Sequence, residues 1–307
     1  MTAREPMHTH LRAQVLALRR TQSARAVAQA LNIPLGTVKA ISSRAGITRD
    51  NTALRAFFRL PEIVASACTA LQPPVAPPQP VAVTGDKDLD AVLWLRQVVQ
   101  TGDTALIAKA MQAAERIKTP AKELEKRYGD FLMRESGGNT MRAVFGSIGF
   151  ANLKGLAEST LDKQARKREA LARFGSEQAV FATLAQEQFC MDALALVPTS
   201  AMSWHDYDQE QVNAAFAQQL DLVPHTLADC LYELDFWDAV YRLRNGWDNA
   251  GDDLPEVNAR RRYIDGHCMA SIRPKTRDEA KAVLRYMAAN EMFDRNETDA
   301  VLENLVG

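Results

Sequence analysis

The chain is poor in the features that mark most enzymes, membrane proteins and secreted proteins. Aromatic residues make up 7% of 307 positions, and alanine is abundant, a balance that favours helices over sheets. The four cysteines, Cys68, Cys190, Cys230 and Cys268, lie far apart with no CxxC pair, which excludes the close spacing of zinc and dithiol motifs. They read as isolated buried thiols of a reducing compartment. No apolar run approaches the roughly 18 residues of a membrane span. The opening MTAREPMHTHLRAQ lacks an apolar core and a cleavage site, so a cytoplasmic protein without membrane attachment is expected.

Recognisable catalytic and cofactor patterns are equally scarce. There is no HExxH, GxSxG, GxGxxG or GK[ST], and FGSIGF does not supply a phosphate loop. His205, His225, His267 and Cys268 do not fall at metal-ligand spacing on one predicted helix. The loop DNAGDD, Asp248 to Asp253, lacks the closing bidentate glutamate of an EF-hand. The expectation is a non-enzyme with no cofactor and no metal.

Net charge is −1, but it is unevenly spread. Residues 1–72 hold ten basic residues, Lys39 and nine arginines, against three acidic ones, a net +7, so the remainder carries −8. A basic head on an acidic body points to a polyanion bound by the head alone. Between the two lies QPPVAPPQPVAV, with five prolines among residues 73–80, a stretch unable to form a regular helix and suited to a semi-rigid spacer. The predicted organisation is a head over 1–71, a Pro-rich linker over 72–84 and a larger helical body over 85–307. The fold class is all-α.

The body reads as successive helices. Leu89, Val92, Leu93, Leu95 and Val99 repeat at helical spacing, with Gly102 as a stop and Asp103 capping the next helix. Thr119 is a predicted N-cap with Pro120 in the first turn, and SGGNT (136–140) is a break. Helices are predicted near Leu153–Phe174, Glu177–Ala195, Asp208–Gln219 and Thr226–Arg244, and two more close the chain, capped by Thr276 and Asn296. The clusters KQARKR (163–168) and RRR (260–262) read as solvated faces, and the aromatic stretch 232–247 as core or subunit interface. No strand longer than a short piece is predicted.

The head carries the informative motif, SARAVAQALNIPLGTVKAISSRAG, Ser23 to Gly46. Val27 and Leu31 lie four apart on one short helix, Val38 and Ile41 three apart on the next, and Ile33 plugs the corner. Ala28 allows close approach, Asn32 tolerates a positive φ in the turn, and Pro34 starts the second helix with its φ already set. A preceding helix over about 10–20, with Leu11, Val15, Leu16 and Leu18, supplies the third wall. This segment resembles a helix-turn-helix DNA-binding unit, and LNIPLGTVKAISSRAG is similar to the recognition half of sigma-region-4-like domains, with Asn32 where glycine is commoner. With its Pro-rich stretch and helical body the whole chain resembles the KorC/KlcB-type repressors of broad-host-range plasmids. That resemblance implies a transcriptional repressor that binds an inverted-repeat operator in plasmid promoters.

In such units the second helix enters the major groove. Leu35, Gly36, Thr37, Lys39, Ala40, Ser42, Ser43 and Arg44 are the outward or leading positions. Thr37, Lys39, Ala40 and Ser43 are the expected base contacts, with Lys39 suited to guanine and Ala40 to a thymine methyl. Arg19, Arg20, Gln22, Ser23, Arg25, Arg44 and Arg49 are the expected backbone contacts. Phe57, Phe58 and Leu60 are expected to cover the head or dock on the body. The expected partners are double-stranded operator DNA, a second copy joined through the body as a homodimer, and a further protein. An alternative is a plasmid or phage accessory protein or enzyme for mobilisation, partition or recombination, targeted by the head. The missing carboxylate or tyrosine catalytic pattern counts against it.

Overall fold

A computed structural model describes residues 5–22, 24–45, 49–64, 75–80, 82–200, 203–248 and 251–306. Helices dominate, as predicted. The described exception is an antiparallel pairing of β1 (Thr199–Ser200) with β2 (Ser203–Tyr207). No described helix is long and apolar enough to cross a membrane.

The chain divides into two compact units. One combines residues 1–61, 181–241 and 251–307; the other combines 62–180 and 242–250. This partition differs from the expected 1–71 head and 85–307 body, and the reason lies in the residues that follow the basic motif. Helix α4 (Thr52–Phe57) and its flanks bury Leu54 and Phe58 in the main core of the first unit, with Phe57 and Leu60 packed against it. Asn51 fixes the geometry. Its side chain caps α4 by accepting from the amides of Ala53 and Leu54, and its Nδ2 donates to the carbonyls of Asp221 and Val223, 2.9 Å each. Its own amide donates to the buried Asp229 at 2.8 Å.

That core gathers α11 (Ala185–Leu194), α12 (Gln209–Ala217), α13 (Leu227–Arg244), α14 (Pro255–Arg262) and α16 (Arg277–Ala289). Phe58 meets Phe236 and Trp237 edge-on. At its centre Arg260 and Glu233, both fully buried, form a bidentate pair at 2.7 and 2.8 Å. The guanidinium lies against Phe58, Phe189, Phe216 and Tyr263. The RRR cluster is therefore no solvated face: Arg260 is internal and Arg261 pairs with Asp238. Directly after α14, Tyr263–Cys268 form a π-helical turn in which Asp265 pairs with Arg295 at 2.7 Å. The predicted helix 177–195 is broken into α10 (Glu177–Val180) and α11. The last helix, α17 (Thr298–Val306), starts at Thr298, two residues after the predicted Asn296 cap.

In the second unit α5 (Lys87–Gln100), α6 (Thr104–Ala114), α7 (Ala121–Glu135), α8 (Thr140–Ser147) and α9 (Leu153–Phe174) enclose two smaller cores. Asp103 caps α6 through the Leu106 amide, and Gly102 takes the left-handed φ of +74° that ends α5. Thr119 does not cap α7: its hydroxyl donates to Asp88 Oδ2, and Pro120 occupies the cap position. The described part of the Pro-rich stretch is docked rather than free, because the Pro78 carbonyl accepts from the Trp94 indole of α5 at 2.7 Å.

Candidate nucleic-acid interface

Three helices precede α4 within the first unit: α1 (Glu5–Thr21), α2 (Ala24–Ala30) and α3 (Leu35–Arg44). α2 and α3, of seven and ten residues, are short, so packing rather than propensity must hold them. Val15, Val27 and Val38, one from each helix, are fully buried, Ala28 joins them nearly so, and Leu11, Leu18, Leu31, Ile33 and Ile41 pack around them.

The corner between α2 and α3 has one determinate geometry. Asn32 adopts φ +50°, its amide donates to the Gln29 carbonyl, and the Ile33 amide donates to the Ala28 carbonyl at 3.0 Å. This is a Schellman closure, with the left-handed residue satisfying the carbonyls that the helix end orphans. Pro34 then occupies the N-cap of α3 with φ −59°, one position earlier than the first helical residue. Its carbonyl accepts from the amides of Thr37 and Val38.

The corner and miniature core turn one face of α3 outward. Thr37, Lys39, Ala40, Ser43 and Arg44 are all exposed, as is Gly36. Two positions from the outward set are placed differently. Ser42 is 3% exposed, because it follows the buried Val38 by four residues on the inner face, and Leu35 packs against the miniature core. The first turn of α3 has no side-chain cap and no acidic residue. Among the described residues the amides of Leu35 and Gly36 have no hydrogen-bond acceptor, so this end presents free donors and the positive end of the helix dipole.

The expected backbone contacts separate on inspection. Arg25, Arg44 and Arg49 are exposed, and Gln22 is half-buried. Arg19 is half-buried, donates to the Gln22 carbonyl at the end of α1, and has its pKa lowered by burial; it closes a helix end. Arg20 lies in α1. Ser23 lies outside the described residues. Arg12, not singled out by the sequence motif, is also exposed.

The electrostatics follow from one residue. Between positions 10 and 61 the single acidic residue is Asp50. It is engaged by Arg55 at 3.1 Å, Lys275 at 3.8 Å and the Thr226 hydroxyl at 2.9 Å. Among the described residues Arg12, Arg25, Lys39, Arg44 and Arg49 have no ion-pair partner, and Asp221 lines the same cavity as Arg12 and Arg49.

A cavity of about 880 Å³ in the same unit is lined by Arg12 and Leu16 of α1, and by Asn51, His225 and His267. A second, more polar one of about 800 Å³ opens beside Asp265, Tyr286 and Arg295. Among the described residues no group of three His, Cys, Asp or Glu side chains is arranged to hold a metal ion. No known protein family, curated protein or solved structure matches this chain.

Proposed function

We propose that this chain is a sequence-specific DNA-binding transcriptional regulator, a repressor that places α3 in the major groove of an inverted-repeat operator and acts as a dimer. The observation that supports this most is the outward face of α3. A short helix held by a determinate corner presents Thr37, Lys39, Ala40 and Ser43 outward, in a stretch whose one acidic residue between positions 10 and 61, Asp50, is paired.

The chemistry follows from those side chains. The Thr37 and Ser43 hydroxyls can donate to or accept from base edges, the Lys39 ammonium donates to guanine O6 or N7, and the Ala40 methyl packs on a thymine methyl. Arg25, Arg44 and Arg49 bind phosphates on either side and set the register. The free amides at the start of α3 add a phosphate site. One such helix reads about four to six base pairs, too few for useful discrimination in a genome, and two copies on a two-fold operator double the reading frame. A dimer seated on a promoter represses by occupying the polymerase's site.

The test is binding of the full chain to duplex DNA from its own upstream region, measured by anisotropy across a salt series. With about four phosphate contacts per head, log affinity should fall with log salt at a slope near −4 per head. Lys39→Ala should lower operator affinity by about 1–3 kcal/mol and leave non-specific binding nearly intact. Equal loss of both makes Lys39 a phosphate contact, and no binding at low salt ends the proposal.

A further inference from the structure

Helix α8 is built inside out. Its inner face against α7 is made of small residues: Ala143 is buried, a Cβ on Gly146 would lie 2.6 Å from Leu132 Cδ1, and Ser147 faces Gly129. Its large apolar residues point the other way. Met141, Val144, Phe145 and Ile148 are 65%, 48%, 68% and 69% exposed. Their spacing, i, i+3, i+4 and i+7, makes one continuous stripe. A helix on a solvated surface normally shows the reverse, with large apolar residues inward.

We infer that this stripe is the self-association surface, covered by α8 of a second copy of this chain about a two-fold axis. The inference rests on the dimeric reading of the proposed function. Three observations favour a second copy as the occupant. The four side chains expose on the order of 500 Å² of apolar surface, at the upper end of what single chains leave uncovered. A standard interface buries roughly 800 Å² per partner, about 65% of it apolar at a homodimer's core, so the stripe matches one apolar core. The hairpin of residues 121–148 carries five basic and four acidic residues, so two copies meet without net repulsion, whereas a nucleic acid gains nothing from this face. An isologous pairing sets each Phe145 against the partner's stripe, so one substitution acts twice.

The test uses the full chain without DNA. Wild-type protein should sediment as a dimer at micromolar concentration. Phe145→Glu and Phe145→Lys should each weaken self-association by about 100-fold or more, with an unchanged circular dichroism spectrum because the ring is exposed, and Phe145→Leu should remain dimeric. Mixing the Glu and Lys variants should restore the dimer. A monomeric wild type, a dimer insensitive to Phe145→Glu, or charge variants that stay monomeric when mixed would each overturn the inference. The DNA reading stands apart: if Phe145→Glu dissociates the dimer and neither form binds duplex DNA, only that reading fails. If the wild type is monomeric and binds DNA with the expected salt slope, the stripe and the dimeric part of the proposed function fail while DNA binding by the head stands.

Discussion

Substitution of Gly36 separates what the fold needs from what a DNA-reading surface needs. Gly36 is the second residue of α3, is exposed and has no positive φ, and an added Cβ would meet nothing within 4 Å. Internally, therefore, glycine is a poor choice. Alanine should stabilise the protein by about 0.5–1 kcal/mol, by reducing the freedom of the unfolded chain and improving helix propensity. For a unit of this size that is a rise of roughly 1–3 °C in Tm. The opposite is expected of DNA binding. The free amides of Leu35 and Gly36 can reach a phosphate oxygen at about 2.9 Å only if nothing stands beside them. A methyl group there should weaken that charge-assisted contact, a loss of about 1.5 kcal/mol or roughly tenfold in affinity. Gly36→Leu should cost more in binding with no loss of thermal stability. Thermal denaturation and anisotropy titration on the same preparations make the comparison. If both variants bind duplex DNA as the wild type does while melting at or above its temperature, the start of α3 does not approach the backbone and the proposed docking is wrong.

Other expectations concern the frame that carries this surface. Glu233→Ala leaves the Arg260 guanidinium buried without its carboxylate and should cost about 3–5 kcal/mol in denaturant unfolding, whereas an apolar pair such as Glu233→Leu with Arg260→Met should recover most of it. Recovery no better than the single variant would show that the pair is needed as ions. Asn51→Ala removes a cap and the donors to two carbonyls, that of the buried Val223 and that of Asp221, and should lower stability by about 2–4 kcal/mol in the same assay; a loss under about 0.5 kcal/mol would mean that α4 is held by its apolar residues alone. Burial raises the pKa of Asp265 above the ordinary 3.8 despite Arg295. The folded state then holds that proton more tightly than the unfolded chain, so this group's contribution to stability falls as pH rises from the ordinary value through the raised one. Asp265→Asn should remove that fall, and parallel pH–stability curves for variant and wild type would contradict it. Cys190, Cys230 and Cys268 are buried, and burial raises the pKa of Cys190 and Cys230. With Cys68 replaced by serine, a thiol reagent should therefore label the protein only as fast as it unfolds.

Local signals in the sequence proved the most legible. Asn32, Gly102, Asp103 and Thr276 all sit where a left-handed turn or a cap was expected, because caps and turns are settled by a few neighbouring residues. The same holds for α9, which runs from Leu153 to Phe174 as predicted, between the Asn152 cap and Gly175 at φ +83°. Long-range outcomes were not legible. Arg260 is drawn inside by Glu233, 27 residues away, and nothing in the run RRR distinguishes it from Arg262. Thr119 looked like a cap but finds Asp88 across the unit. The sequence leaves Phe57 and Phe58 either covering the head or docking on the body, and only the folded chain shows that they meet Phe189 and Phe236. On α3 the outward face followed from helical period, while Ser42 belongs to the inner side of that same period.

The position of Asn51 has a consequence for how far the three basic helices can move. A spacer of prolines placed directly after them would leave them free of the first unit's core. Here the anchor comes before the prolines. From Arg44, the end of α3, to Asn51 the chain has seven residues of reach, at most about 25 Å, and Asn51 is clamped to Asp229, Asp221 and Val223. The three basic helices are therefore leashed to the main core of the first unit, and their range is set by those seven residues rather than by the prolines downstream.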